Sequence, residues 1–286
     1  MSEQVENILT FKTMKVEIQN QVAHVQFNRP DELNTMNADF WHELPEVMHK
    51  IDDEVLARVV VISSTGKHFS AGMDLSVFTG GKRKKMELGR KHENLRRTVK
   101  QLQACLSVLE EVRIPVLIAS QGGCIGGALS LAAAADCRYC TKEAFFSVEE
   151  TKLGMTADVG CLQRLPSLMP LGLVRELAYT GRRLYADEAK ESGLVNKVFD
   201  DQESMISEVL ALAADMAQRS PLAVAGCKEM INYGRDHSVE ESLKQMALWQ
   251  AGMFQPETDM MESFMAKTQK RDTNFAELSP VLPALK

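Results

Sequence analysis

The chain has 286 residues, 45% hydrophobic and 25% charged, with a formal charge of −6 from 33 basic and 39 acidic side chains. That is an ordinary globular composition, long enough to bury a core without metal or disulfide support, and it excludes collagen-like, disordered and disulfide-scaffold classes. A mildly acidic balance argues against general nucleic-acid binding.

In chain order, residues 1–6 are acidic and carry no apolar signal region. Residues 11–19 and 22–27 predict two strands around a hairpin turn at Asn20-Gln21. A helix is expected over 37–51, interrupted or kinked at Pro45. The apolar run 59–62 predicts a strand buried on both faces. Residues 82–100 hold nine basic and two acidic side chains and lead into a helix with Leu95, Val99, Leu102, Leu106 and Leu109 at helical spacing. A strand at 115–119, a glycine-rich turn at 122–127 and a small-residue helix at 128–134 follow, which implies βαβ units and a largely parallel sheet. Beyond about residue 200 only helices are expected, over 204–219, 221–233, 238–251 and 257–267, with Pro221 at a first helical position. This divides the chain into a core, 1–200, and a helical region, 201–286, ending in a loose tail at 279–286. No apolar stretch reaches the roughly 20 residues of a membrane span. The terminal Ala284-Leu285-Lys286 is not a peroxisomal signal. A cytoplasmic protein is the resulting expectation.

Several motifs lead nowhere. Cys137-x-x-Cys140 lacks a second ligand pair for zinc, and no metal site is expected. The six cysteines are read as buried free thiols. His42-Glu43-Leu44-Pro45-Glu46 is not a zinc-protease helix, Gly66-Lys67 is not a phosphate loop, and Cys124 occupies the middle glycine of a dinucleotide fingerprint. The turn at 122–127 reads either as close packing or as backbone N–H groups presented at a helix start. The segment 64–74 is a second such turn. Two N–H groups converging from them would make an oxyanion hole, at the strand ends where open α/β sheets bind ligands. Asp158 has small or apolar neighbours, and reads either as a helix N-cap or as a buried acid with a raised pKa. Gly154, between Glu150 and Asp158, lets the chain bring both acids to one pocket. The basic run 82–100 reads as a solvated face, as steering for phosphates, or as a nucleic-acid contact, although it contains no aromatic side chain for base stacking.

Ser70-Ala71-Gly72-Met73-Asp74-Leu75, the 122–127 turn and Leu153-Gly154 onward resemble the crotonase (enoyl-CoA hydratase/isomerase) superfamily, over about residues 11–275. Asn28-Arg29-Pro30 with Leu33-Asn34 resembles that family's first CoA-contacting loop. Within the family, residues 145–166, including Ala157-Asp158-Val159-Gly160, and Asp236-His237-Ser238 are similar to the Δ3,5-Δ2,4-dienoyl-CoA isomerases.

The resemblance implies an α/β fold built as a spiral of β-β-α turns, with a helical C-terminal region that forms a homotrimer or a hexamer of two trimers. It implies an acyl-CoA isomerase of fatty-acid β-oxidation that converts a 3,5-dienoyl-CoA to its 2,4 isomer. No cofactor is implied, since coenzyme A belongs to the substrate. Glu150 and Asp158 would be the catalytic acids, serving C2 and C6. The backbone N–H groups of Met73 and Gly127 would hold the thioester oxygen. Asn34, Ala71, Asp74, Leu75 and Ser130 would contact substrate, and Lys267 and Lys270 the CoA phosphates, across a subunit boundary. Ser130 departs from the pattern: hydratases of the family carry Glu there and dienoyl isomerases usually Asp. The competing expectations are an enoyl-CoA hydratase or Δ3,Δ2-enoyl isomerase working through Glu150, and a non-catalytic CoA- or RNA-binding protein.

Overall fold

The computed structural model describes residues 7–79 and 86–281. Residues 1–6, Lys82 to Lys85 of the basic run, and the last five residues lie outside them.

Strands β1 (Asn7–Thr10), β2 (Met14–Gln19) and β3 (Val22–Phe27) form an antiparallel meander. The hairpin turns at Asn20 and Gln21, both at positive φ (51° and 63°). Two such residues match the right-handed twist of the strands they join. Helix α1 (Ala38–Asp53), capped by the Asn37 side chain on Phe40 N, runs unbroken through Pro45. Leu44, Val47, Met48 and Ile51, all buried, hold it on both sides of the proline. Strand β4 (Val59–Ser64) follows, then the short α2 (Ser76–Thr79) and the long α3 (Leu88–Glu111). Next come β5 (Val116–Ser120), β6 (Gly123–Ile125), α4 (Gly127–Ala134), β7 (Cys137–Thr141), β8 (Phe145–Ser147), α5 (Cys161–Arg164), α6 (Leu171–Thr180), β9 (Leu184–Tyr185), α7 (Ala186–Glu191) and β10 (Lys197–Phe199). The C-terminal helices are α8 (Gln202–Ala217), α9 (Pro221–Asp236), α10 (Val239–Met253) and α11 (Met261–Gln269).

These strands make a large sheet in the order β1-β2-β3-β4-β5-β7-β10, parallel from β3 onward, and a small one in the order β6-β8-β9. The chain repeatedly leaves the large sheet, adds a short strand to the small one and returns through a helix, which is the expected spiral. Strand β4 is buried along its whole length. Val60 and Ile62 face the main core, while Val59 and Val61 face Met205, Val209, Ala213 and Ala217 of α8. Helix α8 is therefore one cover of the sheet, and no packing boundary falls at residue 200. The apolar stripe of α3 is buried only from its C-terminal half: Leu106 and Leu109 are in the core and Leu95 is exposed.

Other expectations change too. All six cysteines are free, but Cys227 is exposed and Cys137 only partly covered. Cys137 and Cys140 lie on β7. The tail is tied as far as residue 281, with Val281 N donating to Asp53 O at 2.9 Å and Arg113 to Ser279 O at 3.0 Å. Among the described residues no helix is long and apolar enough to cross a membrane.

One buried cation joins α9 to the core. The Lys228 ammonium donates to Leu109 O at 2.6 Å and Ile114 O at 2.8 Å, and pairs with Asp136 at 3.0 Å. Burial lowers its pKa and Asp136 opposes that shift. Lys228→Met would strand two carbonyls and a carboxylate, so we expect a loss of about 3–5 kcal/mol, read as a lower urea midpoint at unchanged m. An unchanged midpoint would show that this contact does not secure α9.

Candidate active site

Two backbone segments meet at the carboxyl ends of β4 and β5. Ser70 bridges to Cys124: Ser70 N donates to Gly123 O and Ile125 N to Ser70 O, each at 3.1 Å. Met73 bridges to Met36, which uses Gly72 O (2.8 Å) and Asp74 N (3.1 Å). In a parallel bridge of this kind the N–H of Met73 itself points away from Met36. Gly127 lies close by: a Cβ placed on it would sit 3.9 Å from Met73 N. Gly127 opens α4, where an N–H has no acceptor within the helix. The two amides expected at the thioester oxygen are thus brought together.

Glycine permits this approach. Gly72 has φ +86°, and a Cβ there would stand 2.6 Å from Ile125 O. Gly126, at φ +55°, would push a Cβ to 3.2 Å from Glu150 Oε1.

Glu150 begins the turn after β8 and is only 8% exposed. Its Oε2 is buried without a hydrogen-bond partner. Burial raises its pKa above the ordinary 4.5, helped by Asp158 and Glu149 and opposed by backbone hydrogen bonds. Ser130, on α4, is fully buried, and its hydroxyl lies against the Cys161 thiol with no good acceptor. Burial, reinforced by Glu150, pushes that thiol up to about 11. Glu150, Ser130 and Cys161 are therefore buried neighbours, and two of their polar oxygens are unpaired.

Asp158 is neither of the things its sequence context offered. Helix α5 is capped by Gly160 without a side-chain cap, and the Asp158 side chain is exposed. Its carbonyl accepts from Gln103 of α3 at 2.7 Å. Arg164 anchors the same segment to α3 through Glu110 Oε2 (3.0 Å from Nε) and Ser107 (2.9 Å). The carboxyl group is thus carried on a loop pinned to α3, close enough to Glu150 to raise its pKa.

A cavity of about 700 Å³ opens beside the two segments, lined among others by Leu33, Lys67, His68, Ala71, Phe145 and Arg183. Arg183 stacks over Phe145, 4.1 Å from the ring centroid. Of the residues expected to touch substrate, Ala71 lines this cavity. Asn34 is buried and spends its side chain on Arg29 N (2.8 Å), Thr65 O (2.7 Å) and His68 O (3.0 Å), so it holds loops together. Asp74 accepts from Thr35 and Ser76 N at 2.9 Å each and faces Arg29 at 3.7 Å. Those bonds hold its pKa down at about 2. Leu75 is 66% exposed, and Lys267 and Lys270 are exposed on and after α11, outside the cavity wall. The described part of the basic run is exposed and partly neutralised by its own acids, Glu87 with Arg90 and Glu93 with Arg96 and Arg97. Sequence reasoning missed Arg183 and Phe145, which meet because β8 pairs with β9 in the register Phe145↔Tyr185. It also set Lys67 aside as a failed phosphate loop and passed over His68.

The model of the enoyl-CoA hydratase/isomerase family matches residues 17–278. The chain belongs to that family. Among similar members, the mitochondrial Delta(3,5)-Delta(2,4)-dienoyl-CoA isomerase of Mus musculus is 44% identical over 264 residues, covering 91% of this chain and 80% of that one. The peroxisomal enzyme of the same name from Arabidopsis thaliana is 37% identical, covering 96% and 99%. A solved enoyl-CoA hydratase from Bacillus anthracis superposes with a TM-score of 0.80 at 29% identity, over 95% of this chain and 99% of that one. These names overturn the cytoplasmic expectation, because the relatives are mitochondrial and peroxisomal. That expectation rested on signals not seen, and an absence does not locate a protein.

The buried Glu150 carboxyl carries a stability cost. The folded state holds the Glu150 proton more tightly than the unfolded chain, so stability falls as pH rises from 4.5 through the raised folded value. Glu150→Gln, permanently neutral, is therefore expected to be more stable than the parent at neutral pH, with the difference vanishing as pH falls toward 4.5. Thermal unfolding at several pH values checks this; a less stable variant at neutral pH would contradict it.

Proposed function

We propose that the protein is a dienoyl-CoA isomerase, moving the double bonds of a 3,5-dienoyl-CoA to the 2,4 positions in fatty-acid β-oxidation. The observation that carries this reading is a buried carboxylate with one unpaired oxygen, Glu150, with a second acid, Asp158, near it. The names and identities of the relatives support it.

In this mechanism the N–H groups of Met73 and Gly127 donate to the thioester oxygen as it gains negative charge, which makes a C2 proton removable. Ionised Glu150 takes that proton. The C2–H electrons form C2=C3, the C3=C4 pair shifts to C4=C5, and the C5=C6 pair takes a proton at C6 from Asp158. No water is added and no bond order is lost overall. The raised pKa of Glu150 brings it closer to the basicity needed to take a carbon-bound proton. Hydration is the less favoured alternative, because Ser130 gives Glu150 no carboxylate partner with which to activate water.

The cavity beside Ala71, with Lys67 and Arg183 on its wall, suits the CoA portion. The exposed Lys267 and Lys270 are available to its phosphates, in the same copy or a neighbouring one. Ile231, Val239, Leu243, Leu248 and Phe264 of α9 to α11 are each more than half exposed, and their burial between copies supports a homotrimer, alone or paired into a hexamer.

Mixing the protein with a 3,5-dienoyl-CoA and following the ultraviolet absorbance of the conjugated product tests the reaction. Asp158→Asn and Glu150→Gln are each expected to lower kcat by about 10²–10⁴-fold, the usual contribution of a positioned acid or base, with CoA binding retained. An unchanged rate in Asp158→Asn would sink this mechanism. Efficient hydration of crotonyl-CoA by that variant would favour the hydratase instead.

A further inference from the structure

His68 joins the two segments that carry the Met73 and Gly127 amides. Its Nδ1 accepts the Gly123 N–H at 2.9 Å. Its own carbonyl accepts from Asn34 Nδ2 at 3.0 Å and Ser64 Oγ at 3.2 Å, which fixes the backbone that presents the ring. Gly123 opens β6 and lies four residues before Gly127, while Met73 lies five residues after His68. A Cβ on the adjoining Gly122 would stand 2.2 Å from Lys67 O and 2.7 Å from His68 Nδ1, so the ring sits directly against the turn. Gln121 makes another side-chain link between the segments, to Ser64 and Gly66, but an amide does not titrate.

A ring nitrogen that accepts an amide N–H must be unprotonated, so this bond exists only with neutral imidazole. The imidazolium would set one N–H against another.

We propose that His68 is a positioning residue for the thioester contact: its neutral ring holds Gly123, and with it the turn bearing Gly127, against the segment bearing Met73, and protonation of the ring releases that hold. The proposal rests on the reading of Met73 and Gly127 given above.

The surroundings keep the ring in its working form. Burial first, then the positive charges of Lys67 and Arg183, lower its pKa from 6.5. Phe145 packs edge-on, with ring centroids 6.2 Å apart. Glu143, Asp200 and Asp201 line the same cavity and are the acids on that wall.

The test is the infrared carbonyl stretch of a 2,4-dienoyl-CoA, ¹³C-labelled at the thioester, bound to the full chain, to His68→Ala and to His68→Asn. With the unsubstituted protein near neutral pH the band should move to lower frequency. The displacement should fade on acidification with a midpoint below 6.5, matching the His68 ring titration followed by NMR. His68→Ala should lose most of the displacement and lower kcat by about 10- to 100-fold, the scale of a misplacement of about 1 Å, with a much smaller change in KM. His68→Asn places an amide oxygen where Nδ1 stood. It should restore the displacement and remove the acid transition; any dependence left in its rate belongs to Glu150. A displacement kept in full by His68→Ala, with kcat within about twofold of the parent, would overturn the proposal while leaving the thioester contact standing. A bound thioester with no displacement in the unsubstituted protein would overturn the thioester contact itself, and the proposal with it.

Discussion

The close approach of two backbones at the strand ends is the constraint on which the site depends. The segment after β4 and the turn after β5 touch main chain to main chain, at Ser70 with Cys124 and at Gly72 with Ile125. Side chains would hold them apart, and the glycines at 72 and 126 also adopt positive φ, which other residues adopt at a cost. Because the segments extend from adjacent, fully buried parallel strands, the sheet sets them side by side, and the backbone bridge at Ser70 and the His68–Gly123 bond draw them together. Strand β8 then leads into the turn that carries Glu150, and α3 pins the loop that carries Asp158.

Electrostatics around Glu150 follow from burial. Glu150 has lost most of its water and has no cationic partner among the groups that shift it, so its proton is held unusually tightly. Ser130 and the high-pKa Cys161 thiol add polarity without charge. Asp158, on an exposed loop, keeps access to solvent while still influencing Glu150.

Much of this is legible in the sequence where local rules govern. The continuous run at β4 announces a strand buried on two sides, Asn20-Gln21 a tight hairpin, and Ser220-Pro221 a capped helix start, where Ser220 does accept from Ala223 N. The glycine turns point to exposed amides through their small residues alone. What fails depends on tertiary partners. The strand β1 shows no strong period of its own and exists by pairing with β2. Pro45 is tolerated because the buried face of α1 outweighs one lost hydrogen bond. The exposure of Asp158 comes from Gln103 and Arg164 pinning its loop, and the Arg183–Phe145 stack from strand pairing across nearly 40 residues of chain. Nor can composition show that α8 covers the sheet, since an apolar stripe does not name what it packs against.

The most direct test is a crystal structure of the full-length protein with a bound dienoyl-CoA analogue. We expect the thioester oxygen within hydrogen-bond distance of the Met73 and Gly127 amides, C2 beside the Glu150 carboxyl and C6 beside that of Asp158. A thioester oxygen bound away from both amides, or an acyl chain that does not pass between the two acids, would contradict this reading.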